Sequence, residues 1–272
     1  QKNPRSQDYG RNIIGNYYAY PNYPWSATQQ EWQGGWKLGN GNGVACGDGK
    51  MCDGKGSCVS FSTGLTAFYM FNGDAKDASG NGINGTIYGS PQFVDDAVYA
   101  GGKALKTDNK EGISIKTNSF RTANATWSAF IKRNGQTGIY ASTYQYVLSY
   151  GATLDRFLVG IEAGKLRFYD DINNAKDSQL INSSILFPNG QWKHLAVVFT
   201  SDGKKKAYVN GKLVGTDTTG SNLLQISTGQ TFNIGSLAGG FNYLNGTMDD
   251  VSIFNRALSQ SEIKQVCGNL CQ

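Results

Sequence analysis

The segment KKKAYVNGKLVGT, residues 204–216, limits the available architectures more than any other stretch of the chain. Asn210-Gly211 sits between two apolar-alternating runs, and a two-residue type I′ turn needs φ > 0 at both central positions. The dipeptide therefore predicts a tight antiparallel hairpin pairing Val209 with Lys212 and Tyr208 with Leu213. Gly164-Lys165 in VGIEAGKLRFY predicts a second hairpin. From Val59 onward the same grammar recurs, with short strand-like runs such as LTAFYMF, WSAFIKR, YVLSYG, WKHLAVVF and FNIGSL separated by turn dipeptides. Residues 259–266, SQSEIKQV, alone read as helix, with Ser259 and Glu262 spaced for a capping box. Such a series specifies an all-β, two-sheet antiparallel jelly-roll sandwich with a short C-terminal helix.

Composition agrees. Only 17% of the 272 residues are charged, 36 are Gly, and 15 Tyr and 13 Phe supply much of the large apolar surface. The net charge of +5 is mild, and its densest run, Lys204-Lys205-Lys206, reads as a solvated hairpin end. No basic stripe interleaved with aromatics marks a nucleic-acid binder. No apolar run reaches the roughly 18 residues of a membrane span. The chain begins at Gln1, which suggests a processed mature form.

His194 is the only histidine. In WKHLAVVF, Trp192, His194, Ala196 and Val198 face one way and Lys193, Leu195, Val197 and Phe199 the other. Both faces are apolar from Leu195 onward, so His194 enters a central strand and its predicted role is structural. Cys46, Cys52 and Cys58 fall in one Gly-rich segment, and Cys267 and Cys271 close the chain. Their spacing is loose for a zinc knuckle and reads as disulfides formed in an oxidising compartment, with one thiol left over. Residues 1–43 hold five Tyr and three Trp among Gly, Asn and Pro without a period, and read as an arm that needs another surface. Residues 44–63 read as a Cys-containing linker, and residues 64–272 as the sandwich.

Four stretches in order, LTAFYMFNGDAKDASGNGINGTIYG, ATWSAFIKR, GQWKHLAVVFTSDGKKKAYVNGKLVG and IGSLAGGFNYLNGTMDDVSIFNRALSQSEI, resemble the laminin-G-like branch of the concanavalin A-like lectin/glucanase superfamily. The resemblance implies the jelly roll and an extracellular or cell-surface setting. The superfamily also contains hydrolases, but the chain has four glutamates, Glu31, Glu111, Glu162 and Glu262, none within five residues of another. A retaining glycosidase needs two carboxylates about 5 Å apart. Asp170-Asp171 and Asp249-Asp250, as sequence neighbours on strands, are expected to point to opposite faces. The chain is thus expected to be non-enzymatic.

Laminin-G-like domains often bind Ca2+, and Asp74, Asp77, Asn81 and Asn84 in NGDAKDASGNGING offer hard oxygens, with Asp249 or Asp250 contributing from the closing strand. The first and last strands of such sandwiches tend to be neighbours, which also motivates a bridge from the Cys46–Cys58 segment to Cys267 or Cys271. Glycan platforms are sought on aromatic loops. NGQTGIYASTYQY supplies Tyr140, Tyr144 and Tyr146, and AGGFNYLNG supplies Phe241, Asn242 and Tyr243. Two functions follow as expectations. One is a lectin-like adhesin recognising glycan or surface protein at its loop rim, as part of a surface appendage such as a pilus. The other is a structural subunit that assembles with copies of itself into an extracellular filament or surface layer through the arm.

Overall fold

The computed structural model describes residues 51–52, 58–59, 63–98, 102–108, 110–134, 144–152, 155–172, 175–180, 187–218, 221–237 and 242–271. The arm, residues 1–43, lies outside them. Strands in chain order are β1 (Met51–Cys52), β2 (Cys58–Val59), β3 (Leu65–Tyr69), β4 (Thr86–Tyr88), β5 (Gln92–Val94) and β6 (Ala104–Thr107). Then come β7 (Gly112–Lys116), β8 (Ala125–Arg133), β9 (Tyr144–Ala152), β10 (Asp155–Glu162), β11 (Lys165–Ile172) and β12 (Ala175–Leu180). β13 (Trp192–Phe199), β14 (Lys205–Val209), β15 (Lys212–Asp217), β16 (Thr231–Ile234), β17 (Gly246–Phe254) and helix α1 (Gln260–Cys267) complete the fold.

Two antiparallel sheets form the sandwich. One runs β12-β11-β10-β9-β16-β7-β4 and the other β15-β14-β13-β8-β17-β6-β5, with β3 also on β17. The small β1–β2 pair sets Cys52 opposite Cys58 along the backbone. Alternate residues of the two sheets meet in a common core. Trp127 of β8 lies 4.5 Å from the Phe199 ring of β13 and 5.0 Å from the Phe232 ring of β16. Phe157 of β10 and Phe120 close around the same node. β8, β13 and β17 are buried on both faces along most of their length because the outer face of their sheet is covered too. Ile263 and Val266 of α1 join Phe68, Ala196, Val198 and Phe254 in a second apolar layer.

The local expectations hold with one shift of register. Asn210 and Gly211 take φ of 45° and 69°, and Val209–Lys212 and Tyr208–Leu213 pair as the turn requires. The second hairpin turns at Ala163-Gly164, φ 48° and 80°, one residue before the expected Gly164-Lys165. Ser259 caps α1 by accepting from the Glu262 N–H, and the Glu262 side chain returns the bond.

Two readings are corrected. The lysine run is not a solvated end throughout. Lys205 points between the sheets, 2.6 Å from Asp217 and 3.1 Å from Asp170, and its side chain is 2% exposed. Strand alternation puts the middle lysine inward, and the apolar pattern cannot reveal it because a charged residue occupies a core position. The cysteine bridge also differs. Cys267 bonds Cys271 across the end of α1, so neither reaches the earlier segment. Gly268, at φ 58°, ends α1 and turns the chain into a short 3-10 segment that brings Cys271 back to Cys267, and that local closure wins over a long-range one. Cys46 lies outside the described residues.

His194 is fully buried against the Phe130 ring, with Nε2 2.7 Å from Ser128 Oγ. Burial lowers its pKa from 6.5 to about 3. The unfolded chain therefore takes a proton near pH 6.5 that the folded one refuses until about pH 3. The associated stability is present above pH 6.5 and is lost as pH falls between these two values. With one histidine in the chain its NMR resonance is unambiguous. The ring signal is expected to show no inflection between about pH 5 and 8 in the folded protein, and an inflection near the ordinary imidazole value contradicts the buried, neutral assignment.

Candidate functional site

The outer face of the β9–β10–β11 region carries the densest set of groups suited to recognition. Phe157, Val159 and Ile161 of β10 and Leu166 and Phe168 of β11 fill the core. The intervening residues, Arg156, Leu158 and Gly160 on one strand and Arg167, Tyr169 and Asp171 on the next, therefore take the opposite face, where Leu158 and Asp171 are buried. Register sets Gly160 beside Arg167 and Arg156 beside Asp171. β9 bulges against β10 between Val159 and Gly160, which brings Tyr146 opposite Gly160. A Cβ at Gly160 would stand 2.8 Å from Tyr146 Cδ1 and 2.9 Å from the Gln145 carbonyl, so glycine lets the Tyr146 ring lie across the sheet.

Cation–π contacts tie the arginines to this surface. Arg156 sits 5.3 Å from the Tyr169 ring centre and Arg167 5.3 Å from that of Tyr144. Arg167 Nε donates to Glu162 at 2.6 Å, and Arg156 lies 3.6 Å from Asp171. These partners hold both guanidinium planes in place, so little side-chain freedom remains to be lost on binding. Burial raises the Tyr146 phenol above its ordinary value against the pull of the Arg156 charge. Tyr144 stays 38% exposed and is the accessible ring of the set.

The two loops that the sequence offered as separate platforms converge here. The Tyr146 N–H donates to the Asn242 carbonyl at 2.7 Å, and Tyr146 and Tyr243 form a parallel bridge. Tyr144, Tyr146, Asn242 and Tyr243 thus share one end of one sheet, because β16, which leads into the Asn242 loop, pairs with β9. Tyr140 and Phe241 lie outside the described residues. Sequence reasoning passed over Arg156, Arg167 and Tyr169. Their signal was the polar-aromatic alternation in RFLVGIEAGKLRFYDD, which was read only as a hairpin.

The acidic loop is built differently from a cation cage. Asp77 Oδ1 accepts the N–H groups of Phe68 at 3.0 Å and Ser79 at 2.8 Å, and Oδ2 accepts that of Ile83 at 3.0 Å. Asn84 Oδ1 accepts the Asp77 N–H, and the Asn81 amide donates to the Leu65 and Thr66 carbonyls. Asp74 accepts from the Lys76 N–H and pairs with the Lys76 ammonium in solvent. The loop therefore uses Asp77, Asn81 and Asn84 to fasten itself to β3, and its donor set does not fit a calcium ion. Among the described residues, no three carboxylates bring oxygens within 4.8 Å of one another.

Asp249 and Asp250 sit in a notch of β17, whose Val251 pairs with Tyr69, the residue that also bridges Asp77. β6 pairs with Gly246 to Met248 and β3 with Val251 to Phe254, so the acidic pair falls where one neighbour ends and the next begins. Opposite orientations were expected, yet a bulge between Asp249 and Ser252, with Asp250 at φ 45°, breaks the alternation. Both carboxyls are buried. Asp249 accepts from the N–H groups of Val98 and Asp250, each at 2.9 Å. Burial pushes Asp249 up to about 8 against those bonds, with the Asp96 charge adding to the rise, and raises Asp250 well above the carboxylate range, with Asp249 adding.

Replacing Asp77 by Ala leaves three backbone N–H groups without their acceptor and is expected to destabilise the fold by roughly 2–4 kcal/mol. The loss read by thermal unfolding should be the same in calcium and in chelator. A wild-type stability that falls in chelator while the Asp77→Ala protein stays insensitive contradicts the fastening role.

Comparison with known proteins completes the description. A laminin G family model, described as the concanavalin A-like lectin/glucanases superfamily, matches residues 107–264. No curated protein matches the chain. Among solved structures, domain 4 of AbnA, a GH43 extracellular arabinanase from Geobacillus stearothermophilus solved with arabinotriose, is 22% identical with a TM-score of 0.60, covering 75% of this chain and 98% of its own. The binding domain of Paraclostridial Mosquitocidal Protein 1 is 16% identical at TM-score 0.56, covering 75% and 52%. The binding domain of Botulinum neurotoxin DC, solved with rat synaptotagmin II, is 16% identical at 0.58, covering 78% and 52%. The present chain thus spans about half the length of the toxin domains. At these identities the likeness concerns the fold. With more than half of its length matched by the family model, the chain belongs to the concanavalin A-like lectin/glucanases superfamily, in its laminin G branch.

Proposed function

We propose that the protein is a non-enzymatic carbohydrate-binding module of the cell surface or extracellular space, and that its ligand lies on the tyrosine–arginine face of β9, β10 and β11. The observation that carries this reading is the alignment of Tyr144, Arg167, Tyr146, Tyr169 and Arg156 along one sheet face, with Asn242 bonded to Tyr146. Aromatic faces match the apolar faces of sugar rings, and fixed guanidinium and amide groups match their hydroxyls. The fold neighbour solved with arabinotriose supports a saccharide, and the neighbour solved with synaptotagmin makes a surface protein the competing ligand.

The glutamates support the absence of hydrolysis. Glu162 is held by Arg167, Glu262 caps α1 and pairs with Arg256 at 2.7 Å, and Glu111 accepts the Asp108 N–H at 2.9 Å. Each is engaged with a structural partner, and none of them forms a facing pair among the described residues. Glu31 lies outside those residues. The second reading, a filament or surface-layer subunit such as a pilus component, rests on residues 1–43, which also lie outside them.

Calcium belongs in the proposal at Asp249 and Asp250 instead of the acidic loop. Two buried carboxyls that resist ionising together are a pair whose charge a hard cation would neutralise. Added calcium is expected to raise the melting temperature of the wild type, and chelator to reverse it, with Asp250→Asn abolishing the difference. A melting temperature indifferent to calcium at millimolar concentration removes the ion from the account.

On a glycan array, Tyr144→Ala and Arg167→Ala are expected to weaken binding of the recognised saccharide by about tenfold or more. Tyr144 is exposed, so its replacement should change unfolding stability little, whereas Arg167→Ala also leaves Glu162 without its partner and is read against its own unfolding curve. Full binding by both variants, or an array blank for the wild type, contradicts the carbohydrate face.

A further inference from the structure

The only histidine of the chain and its last two cysteines form a cluster that the binding function does not use. One ring nitrogen of His194 and the sulfurs of Cys267 and Cys271 lie within 4.8 Å of one another. The strand and the helix are locked together around them. The His194 N–H donates to Asn210 Oδ1, the Asn210 N–H donates back to the His194 carbonyl, and Gln260 of α1 donates to the Gly211 carbonyl, all at 2.9 Å. Gly211 has no room for a side chain, since a Cβ there would stand 2.7 Å from Cys271 Sγ. The hairpin turn therefore packs directly against Cys271.

His194 itself points to a ligand. Nε2 is engaged by Ser128 Oγ, whereas Nδ1 is fully buried with no hydrogen-bond partner. Buried polar atoms are nearly always satisfied, so an orphan nitrogen on a ring grouped with two sulfurs calls for an explanation. With Nε2–H donating to Ser128, Nδ1 is the nitrogen left with a free lone pair, the arrangement found for metal-bound imidazoles whose other nitrogen is held by a polar partner.

We propose that Cys267–Cys271 is a redox gate over a zinc site, in which the reduced pair and His194 Nδ1 bind one Zn2+. A dithiol reductant opens the gate by exchange, leaving two protein thiols and an oxidised reductant. Zinc binding then releases the two thiol protons. Two thiolates and a neutral imidazole balance the charge of Zn2+, so the assembled site is neutral and suits a buried pocket walled by Phe130. A singly charged ion would leave an uncompensated negative charge there. Three protein ligands leave the fourth position of the tetrahedron for water, and Cys271, partly exposed, marks the way in. Cys267 ends α1 and Cys271 ends the 3-10 turn that follows, with their Cα atoms 5.7 Å apart, a spacing that lets both sulfurs chelate one ion.

The test uses the full chain with Cys46, Cys52 and Cys58 changed to Ser, leaving only the pair in question. It is titrated with Zn2+ against a chromophoric chelator before and after reduction by a phosphine, and with Co2+ as a spectroscopic probe. The reduced protein is expected to bind one zinc and the oxidised protein none. Co2+ should give thiolate charge-transfer absorption and the visible bands of a tetrahedral site. The His194 Nδ1 resonance should move on zinc addition while Nε2 keeps its proton. Ser128→Ala should weaken zinc by about tenfold or more, a loss that simple packing would not produce. No zinc uptake after reduction, or uptake unchanged in Cys267→Ser/Cys271→Ser, overturns the proposal. If the triple-serine protein fails to fold, the wild-type background decides: loss of one bound zinc in the reduced Cys271→Ser protein supports the site, and unchanged stoichiometry overturns it.

Discussion

The contact of Trp127 with Phe199 and Phe232 is the constraint on which the sandwich depends. Phe199 lies beside it in the same sheet, and Phe232 comes from the opposing one. A buried aromatic cluster of this kind supplies several kcal/mol of apolar burial at a single place. It also fixes register, since slipping any of the three strands by one residue would turn its ring out of the core. β9 and β10 take their positions from that register, and the recognition face follows on their other side. The tyrosines and arginines are therefore placed by a core that they do not touch.

Polar groups are treated differently in the two halves of the protein. On the recognition face, Arg156 and Arg167 are held by carboxylates and stacked on rings, yet remain partly exposed. Inside, Lys205 is closed between Asp170 and Asp217 and lies over the Phe157 ring. Such a buried pair costs desolvation that attraction only offsets, so it is better understood as fixing how β14 meets β11 than as a source of stability. Asp249 and Asp250 are the opposite case, two like-charged groups in one notch. Their raised affinity for protons comes first from burial, with Asp96 adding to the rise of Asp249 and Asp249 to that of Asp250.

What the sequence made legible was local. Asn210-Gly211 and the Ser259–Glu262 box are decided by φ angles and bonds within four residues, and the structure has both. Alternation in WKHLAVVF placed His194 in a buried strand because both faces of that run are apolar. What stayed hidden depends on strands far apart in sequence. Tyr146 and Asn242 meet only because β9 lies beside β16, an adjacency that no periodicity encodes. Asp77 read as a calcium ligand because acidic residues with glycines serve ions and turns alike, and only its three N–H partners distinguish them. The sulfur bridge was misjudged for the converse reason, a long-range pairing being preferred where a helix end offered a local one.

The central claim is that ligand recognition belongs to the tyrosine–arginine face and not to the loop rim at the acidic notch. Mapping NMR chemical-shift changes as the saccharide selected by the array is titrated into the isotopically labelled chain tests it most directly. The account predicts saturable shifts centred on Tyr144, Tyr146, Tyr169, Arg156 and Arg167, with the region of Asp77 and Asp249 unmoved. Shifts centred on that acidic region, with the β9–β11 face silent, would contradict it.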